Sequence, residues 1–124
     1  CIQNAARHLR PGGHFVIEVQ VPPIQRLPEG ARLLAFDCGP GHIGTDEIVV
    51  TTQSFTSHHV WISDGQTRRL SIPMRYVWPS ELDLMAQLAG LELAHRWADW
   101  SKAPFVATSR AHVSVWRKPE MSKD

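Results

Sequence analysis

Two adjacent histidines, His58 and His59, are the residues of this chain best suited to acid–base chemistry. An imidazole titrates near neutral pH, so it can take a proton from an amine or a hydroxyl group. Both lie in a polar stretch that is also strand-forming. Because successive strand residues point to opposite faces, at most one of them can enter a given pocket. The pair is a candidate general base or orienting group, and surface or packing histidines are the alternative.

Two other patterns suggest sites but lack the context that those sites require. Gly39-Pro40-Gly41-His42-Ile43-Gly44 matches G-x-G-x-x-G, yet nucleotide binding needs a helix after the glycines. Residues 48–52 are strand-forming instead, so we predict a flexible loop. The metal-capable side chains of this region show no recognised ligand spacing, and we expect no metal site; they are His42, Asp46, His58 and His59.

Aromatic side chains form a second group of candidates. Tyr76 and Trp78 share a face just before a predicted helix, and Trp100 ends a predicted strand. Aromatic faces suit a cationic amine or a methylsulfonium through cation–π contact. The three residues could line a substrate pocket, and ordinary packing is the alternative.

Two acidic residues have roles that the pattern only partly defines. Glu18 lies in an apolar strand and is either an edge charge or a buried partner of Arg75 or Arg96. Asp83 follows Ser80 by three residues, and this spacing resembles a helix capping box.

Turn residues divide the chain into short elements. For residues 1–23 the sequence predicts a helix, a turn at Pro11-Gly12-Gly13 and a strand that ends at Pro22-Pro23. Residues 24–78 predict an antiparallel insert of three or four strands, with a hairpin turn at Asp64-Gly65 and one wet face. Residues 79–118 predict a helix and two closing strands, and 119–124 a disordered tail. We predict that these parts form a single domain over 1–124.

Composition limits the possible partners. Thirteen basic and twelve acidic side chains give a net charge of +1, and no basic run could follow a phosphate backbone. The longest apolar runs are far shorter than a membrane span. Two cysteines do not make a disulfide framework, which favours a reducing, cytoplasmic setting. We therefore expect neither a nucleic-acid nor a membrane partner.

Three phrases carry a family resemblance over most of the chain. They are Leu9-Arg10-Pro11-Gly12-Gly13 before a strand, Glu81-Leu82 leading to Ala89-Gly90-Leu91, and Val115-Trp116-Arg117-Lys118-Pro119 near the end. In this order they are similar to the C-terminal half of class I S-adenosylmethionine-dependent methyltransferases. The implied fold is α/β (α+β as a fragment): half of a Rossmann-like methyltransferase sheet with an antiparallel β insert.

The resemblance also implies a division of labour. Family members bind S-adenosylmethionine with the preceding half of the domain, so cofactor-binding residues stay unknown and we expect this chain to be inactive alone. Cys1 in place of an initiator methionine agrees with a truncated chain. The insert resembles that of enzymes acting on small molecules, including amino sugars and other small amines, where it helps form the acceptor pocket.

Under this resemblance the candidate residues take roles in N- or O-methylation. His58 or His59 would be the base, and Tyr76, Trp78 and Trp100 would shape the acceptor pocket. The three core strands would lie side by side with the first at a cut edge, through which we expect a homodimer. The alternative function is a non-catalytic α+β module that binds a small ligand.

Overall fold

A computed structural model describes residues 1–120, so residues 121–124 of the predicted disordered tail lie outside the described part. None of the helices within residues 1–120 is long and apolar enough to cross a membrane. The elements in chain order are helix α1 (Ile2–His8), strand β1 (His14–Gln20), a 3₁₀ turn (Pro23–Arg26), β2 (Leu33–Gly39), β3 (His42–Val49), a 3₁₀ turn (Val50–Thr52), β4 (Ser54–Ser63), β5 (Gln66–Arg75), α2 (Pro79–Leu88), β6 (Glu92–Trp97) and β7 (Ala111–Arg117).

The chain divides into two compact units, of which unit 1 comprises Cys1–Pro22 and the segment from Val77 onward. Its sheet has the antiparallel order β1-β7-β6. Alternate β1 residues are half-buried, as the period of two requires. The core contains the buried residues Ile2, Ala6, Leu82, Ala86, Leu91 and Trp116. The prediction that three strands lie side by side with the first at an edge is confirmed.

The Pro-Gly-Gly turn joins the two ends of unit 1. Gly12 has a φ of 79°, a left-handed conformation that glycine adopts without strain. Its backbone N–H donates to the carbonyl of Lys118, whose own N–H donates to the carbonyl of Gly13. The Lys118 ammonium donates to the carbonyls of Ala6 and Leu9 at 2.8 and 2.9 Å, where a cation suits the C-terminus of α1.

Asp83 is not part of a capping box, so that prediction is wrong. Helix α2 begins after Trp78 without a side-chain cap, and Pro79 takes the first position. The Asp83 carboxylate accepts instead from both terminal nitrogens of Arg96, at 2.7 and 2.9 Å, and from Trp116 Nε1 at 3.1 Å. Packing of α2 on the sheet thus includes a paired, partly buried charge, and Asp83 rather than Glu18 is the partner of Arg96.

His112 extends this polar network into the sheet. It is fully buried, and its Nδ1 lies 2.7 Å from Ser114 Oγ, which itself accepts from Arg96 Nε. Because Arg96 can only donate, the Ser114 proton is available for His112 Nδ1, and the imidazole carries its own proton on Nε2. That Nε2 is buried without a hydrogen-bond partner among the described residues. Burial, helped by Arg96 and opposed by Asp83, holds the pKa of His112 below its ordinary value.

This lowered pKa predicts a loss of stability in mild acid. The unfolded chain takes up a proton on His112 near pH 6.5, whereas the folded chain does not until lower pH. The unfolded state therefore binds more protons, and the free energy of unfolding falls as pH drops below about 6.5, by at most about 1.4 kcal/mol per pH unit. Urea denaturation from pH 8 to 5 measures this. In His112→Gln the free energy of unfolding should depend less on pH than in the unmodified chain. The same substitution at the exposed His14 should leave the pH dependence unchanged. Equal pH dependence in the two variants would contradict the prediction.

Unit 2, Pro23–Tyr76, is an antiparallel meander in the order β2-β3-β4-β5. Asp64 and Gly65 have φ values of 51° and 72° between β4 and β5, which confirms the predicted hairpin turn. The loop predicted over Gly39–Gly44 is wrong, because β2 ends at Gly39 and β3 begins at His42. Only Pro40 and Gly41 lie between them, so the glycine pattern closes a second hairpin. The predicted antiparallel insert and mixed α/β fold class are confirmed.

Candidate functional site

One face of the unit 2 sheet gathers polar and aromatic side chains, and we call it the histidine face. The strand register fixes its membership, since directly opposite residues project to the same side. Asp46 pairs with Ser57, Gly44 with His59, and His42 with Trp61. We use the name for a subset of the residues on that side, namely Phe36, Asp37, His42, Gly44, Asp46, Ser57, His59 and Trp61.

Four of these side chains form a continuous row of hydrogen bonds, the histidine relay. Asp37 Oδ2 lies 2.5 Å from His42 Nδ1, and His42 Nε2 lies 3.0 Å from His59 Nδ1. His59 Nε2 then lies 3.2 Å from Ser57 Oγ. Both nitrogens of both imidazoles are engaged, so neither ring can rotate without breaking a bond.

The acceptor at one end fixes the direction of the protons. The hydrogen bond that Asp37 accepts from His42 holds the pKa of Asp37 below its ordinary value, so Asp37 is an ionised acceptor. His42 then donates from Nδ1 and, as a neutral ring, accepts at Nε2 from His59. His59 in turn accepts from the Ser57 hydroxyl. Every proton of the relay points toward Asp37, which makes His59 Nε2 a proton acceptor.

A β-bulge brings two consecutive residues onto this face. The pairing of β2 with β3 shifts between Ala35 and Asp37, which leaves Phe36 as an extra residue. Without the shift, Phe36 and Asp37 would point to opposite sides. The Phe36 ring packs edge-on to His59, with centroids 5.4 Å apart. The bulge thus supplies both the acid of the relay and an aromatic contact for its histidine.

The Trp61 indole packs against both imidazole rings of the relay. The His59 and Trp61 rings lie 5.3 Å apart at 8°, and His42 lies 5.2 Å from the same indole. Trp61 also lines an open groove of about 500 Å³ with Arg68, whose guanidinium lies 5.8 Å from the indole centroid. The relay is therefore next to a concave surface with an aromatic wall.

Gly44 leaves the space that Phe36 occupies. A Cβ at Gly44 would overlap the Phe36 ring. In Gly44→Ala the ring must leave His59, and because Phe36 is 48% exposed it has room to swing outward. We expect a cost of about 1 kcal/mol, at the low end for overpacking, and loss of the ring-current shift on the His59 ring protons. The measurements are urea denaturation and NMR.

Gly41→Ala is the matched control, because the first atom its Cβ meets is the Ile62 carbonyl oxygen at an ordinary 3.7 Å. If both variants left the His59 signals in place, the role given to Gly44 would be wrong.

The two predicted histidines separate as adjacent strand residues should. His58 lies on the opposite face, where Nδ1 is 2.9 Å from Ser71 Oγ and Nε2 is 3.5 Å from Glu47 Oε2. Only His59 belongs to the relay. No group of three or more metal-capable side chains within residues 1–120 is arranged to hold a metal ion.

The three predicted aromatic residues fall in different parts of the fold. Tyr76 is buried at the end of unit 2, and Trp78 precedes α2 in unit 1. Trp100 is 65% exposed, and its Nε1 donates to Glu18 Oε2 at 3.0 Å. A shared substrate pocket for Tyr76, Trp78 and Trp100 stays a prediction.

Sequence reasoning missed the partners that make His59 distinctive. Asp37, His42 and Ser57 are separated by up to twenty residues and share no motif. The available signal was alternation: Ser57, His59 and Trp61 fall on one side of β4. Had the Pro40-Gly41 turn been recognised as a hairpin, the register would have placed His42 opposite Gly39, at the end of the strand that carries Asp37.

Comparisons with known proteins agree with the fold. No protein-family model matches the chain. The cypemycin N-terminal methyltransferase of a Streptomyces species is 27% identical over 122 residues, which cover 92% of this chain and 48% of that protein. The CcbJ methyltransferase of Streptomyces caelestis is 37% identical with a TM-score of 0.81, over 95% of this chain and 51% of that one. An S-adenosylmethionine-dependent methyltransferase from Clostridium acetobutylicum shares the fold at 10% identity, with a TM-score of 0.70.

These similarities extend over only part of each relative. The chain spans about half the length of the curated relative and of the solved structures it matches. The sequence resemblance is confirmed: the chain is similar, over about half of their length, to methyltransferases, among them an S-adenosylmethionine-dependent one.

Proposed function

We propose that this chain is the acceptor-binding C-terminal portion of an S-adenosylmethionine-dependent methyltransferase that methylates nitrogen or oxygen of a small molecule. The histidine relay is the observation that carries the proposal. It presents a proton-accepting nitrogen, His59 Nε2, backed by an ionised carboxylate two hydrogen bonds away. A methyl acceptor must lose a proton, and the relay provides a route for it.

The stretch Gly39–Gly44 lacks the setting of a cofactor-binding loop. The family's glycine-rich cofactor loop lies between a strand and a helix, whereas Gly39–Gly44 closes a β-hairpin. This stretch therefore does not fit S-adenosylmethionine, and we derive no step through it. We assign this chain the binding and deprotonation of the acceptor, and we expect it to be inactive alone.

Within the site, His59 is the proposed base and His58 is not. His58 already lies beside Ser71 and Glu47 on the opposite face of the sheet. Tyr76, Trp78 and Trp100 remain proposed acceptor-pocket residues. Their aromatic faces suit a cationic or apolar acceptor.

Two arms test this function. The full-length protein that contains this chain should transfer a tritiated methyl group from S-adenosylmethionine to small amines or alcohols, and the 124-residue chain should not. Calorimetry with S-adenosylhomocysteine should give no micromolar binding to the chain alone. Absence of methyl transfer by the full-length protein would refute the function. Binding of S-adenosylhomocysteine by the chain alone would refute the assignment of cofactor binding to residues outside this chain.

We also propose a homodimer formed through β1. This strand is at the edge of the unit 1 sheet, and Val16 on it is 44% exposed. Unpaired edge groups favour pairing with a second strand. Light scattering on the purified chain should give twice the monomer mass, and a strictly monomeric profile would count against it.

Cys1 and Cys38 are exposed and unpaired, which supports a reducing, cytoplasmic location.

A further inference from the structure

The open groove beside the histidine relay is lined by an arginine, Arg68, whose charge is uncompensated in the described part of the chain. Its guanidinium lies 5.8 Å from the centroid of the Trp61 indole. Within residues 1–120 it makes no ion pair and no hydrogen bond. Contact with an aromatic face limits where a guanidinium can lie but uses none of its N–H donors. Arg68 is therefore a positioned cation whose donors are available to a molecule in the groove.

Gln66 supplies a second donor to the same groove. It is two positions from Arg68 along β5, so the two side chains project to the same face of the sheet, with their Cβ atoms about 7 Å apart. Its amide makes no hydrogen bond to another side chain among residues 1–120. A group with two acceptor oxygens can take both a pair of guanidinium N–H bonds and one amide N–H bond.

An acidic residue, Asp64, lines the groove at its other end. It lies in the turn between β4 and β5, where its Oδ2 accepts from Ser63 Oγ at 3.1 Å. Gln66 pairs with Ser63 next to this turn, whereas Arg68 pairs with Trp61 two positions farther along. Asp64 is thus more than about 7 Å from the position of Arg68, close to the screening length of about 8 Å at physiological salt. Its charge therefore weakens the attraction of an anion to Arg68 only slightly.

A carboxylate is the ligand group that matches these observations. Its two oxygens fit the paired N–H donors of a guanidinium, and Trp61, which is 36% exposed, offers an apolar face to the carbon atoms beside it. One guanidinium balances one negative charge, whereas a phosphate monoester carries about −1.5 to −2. An ammonium group would be repelled by Arg68, and a hydroxyl group has no charge to pair with it.

We propose that this groove binds a carboxylate group of a small-molecule ligand, with Arg68 and Gln66 as donors and the Trp61 indole as the apolar wall. Identifying that ligand as the methyl acceptor rests on the proposed function. Trp61 is two positions from His59 along β4, a rise of about 7 Å. An acceptor that reaches both places therefore carries its carboxylate several bonds away from the atom that receives the methyl group.

NMR titration of the ¹⁵N-labelled chain tests the site without cofactor or turnover. Benzoate is the probe, and benzamide is the uncharged probe of nearly the same shape. We expect benzoate to shift the Trp61 Nε1–H and Arg68 Nε–H signals saturably. Benzamide should bind at least about tenfold more weakly, because it lacks the charge that strengthens a hydrogen bond to a guanidinium.

Two adjacent arginines provide the variant and its matched control. Arg68→Gln should weaken benzoate binding at least about tenfold, because it removes the charged donor pair. Arg69→Gln removes the same charge from the next residue of β5, which projects to the opposite face of the sheet. It should change the affinity less than about twofold, since exposed charges outside the groove are screened. Both side chains are exposed, so neither substitution disturbs the packing of unit 2.

Several results would overturn the inference. Equal binding of benzoate and benzamide would show that stacking on the indole, not the carboxylate, accounts for the affinity. Equal losses in Arg68→Gln and Arg69→Gln would show that benzoate responds to the overall charge of β5. Benzoate binding without methyl transfer in the full-length protein refutes the proposed function alone, and methyl transfer without benzoate binding refutes this inference alone.

Discussion

Replacing Asp83 by alanine is expected to destabilise unit 1 by about 2–3 kcal/mol, because it leaves one partner of a partly buried, hydrogen-bonded charge pair alone. The side chains of Asp83 and Arg96 are only 25% and 13% exposed. The variant leaves the Arg96 guanidinium and the Trp116 N–H without their acceptor. Since small domains are stable by only about 5–15 kcal/mol, urea denaturation should show unit 1 unfolding at much lower denaturant.

Glu92→Ala is the matched control for Asp83→Ala. Glu92 pairs with Arg117 at 3.6 Å, but both side chains are at least half exposed, so the pair should contribute less than about 1 kcal/mol. A similar loss of stability in the two variants would mean that the Asp83 network is no more important than a surface ion pair.

Replacing His59 by asparagine in the full-length protein is expected to lower the rate of methyl transfer by about 10²–10⁴-fold, the usual range for a general base. Asparagine keeps a polar side chain but cannot take up the proton. The Michaelis constant should change less than the rate, because the proposed role of His59 is to take up a proton and not to bind the acceptor. Initial rates with tritiated S-adenosylmethionine across pH 6–9 measure both quantities.

His58→Asn provides the comparison for His59→Asn, since it changes the neighbouring residue on the other face. We expect less than a threefold effect on the rate. An unchanged rate and pH profile when both histidines are replaced would remove the base from the proposal.

Much of the fold follows from local signals in the sequence. The Asp64-Gly65 turn sets the register of β4 with β5, and Pro11-Gly12-Gly13 ends α1 before β1. Asp83 was misread because its spacing from Ser80 is a local pattern, whereas its partner Arg96 is reached only after β6 packs beside α2. A turn is specified by adjacent residues and can be predicted from them, whereas a charge pair between two elements depends on how those elements pack.

The candidate site shows the same limit. His59 is visible as a histidine in a polar strand, but its relation to Asp37 depends on a bulge at Phe36. A one-residue register shift changes which side of the sheet a side chain reaches, and no turn signal marks that shift in the sequence. The hydrogen bonds of the relay therefore follow only from the observed pairing of β2 with β3.

The two units differ in how far apart in the chain their paired strands are. In unit 2 every strand pairs with the next one along the chain, whereas His14 of β1 pairs with Arg117 of β7. Closing a loop of this length costs entropy before any contact compensates for it, and such contacts slow folding. We expect the meander of unit 2 to form first and the sheet of unit 1 to close last. During synthesis, β7 leaves the ribosome after the two strands with which it pairs.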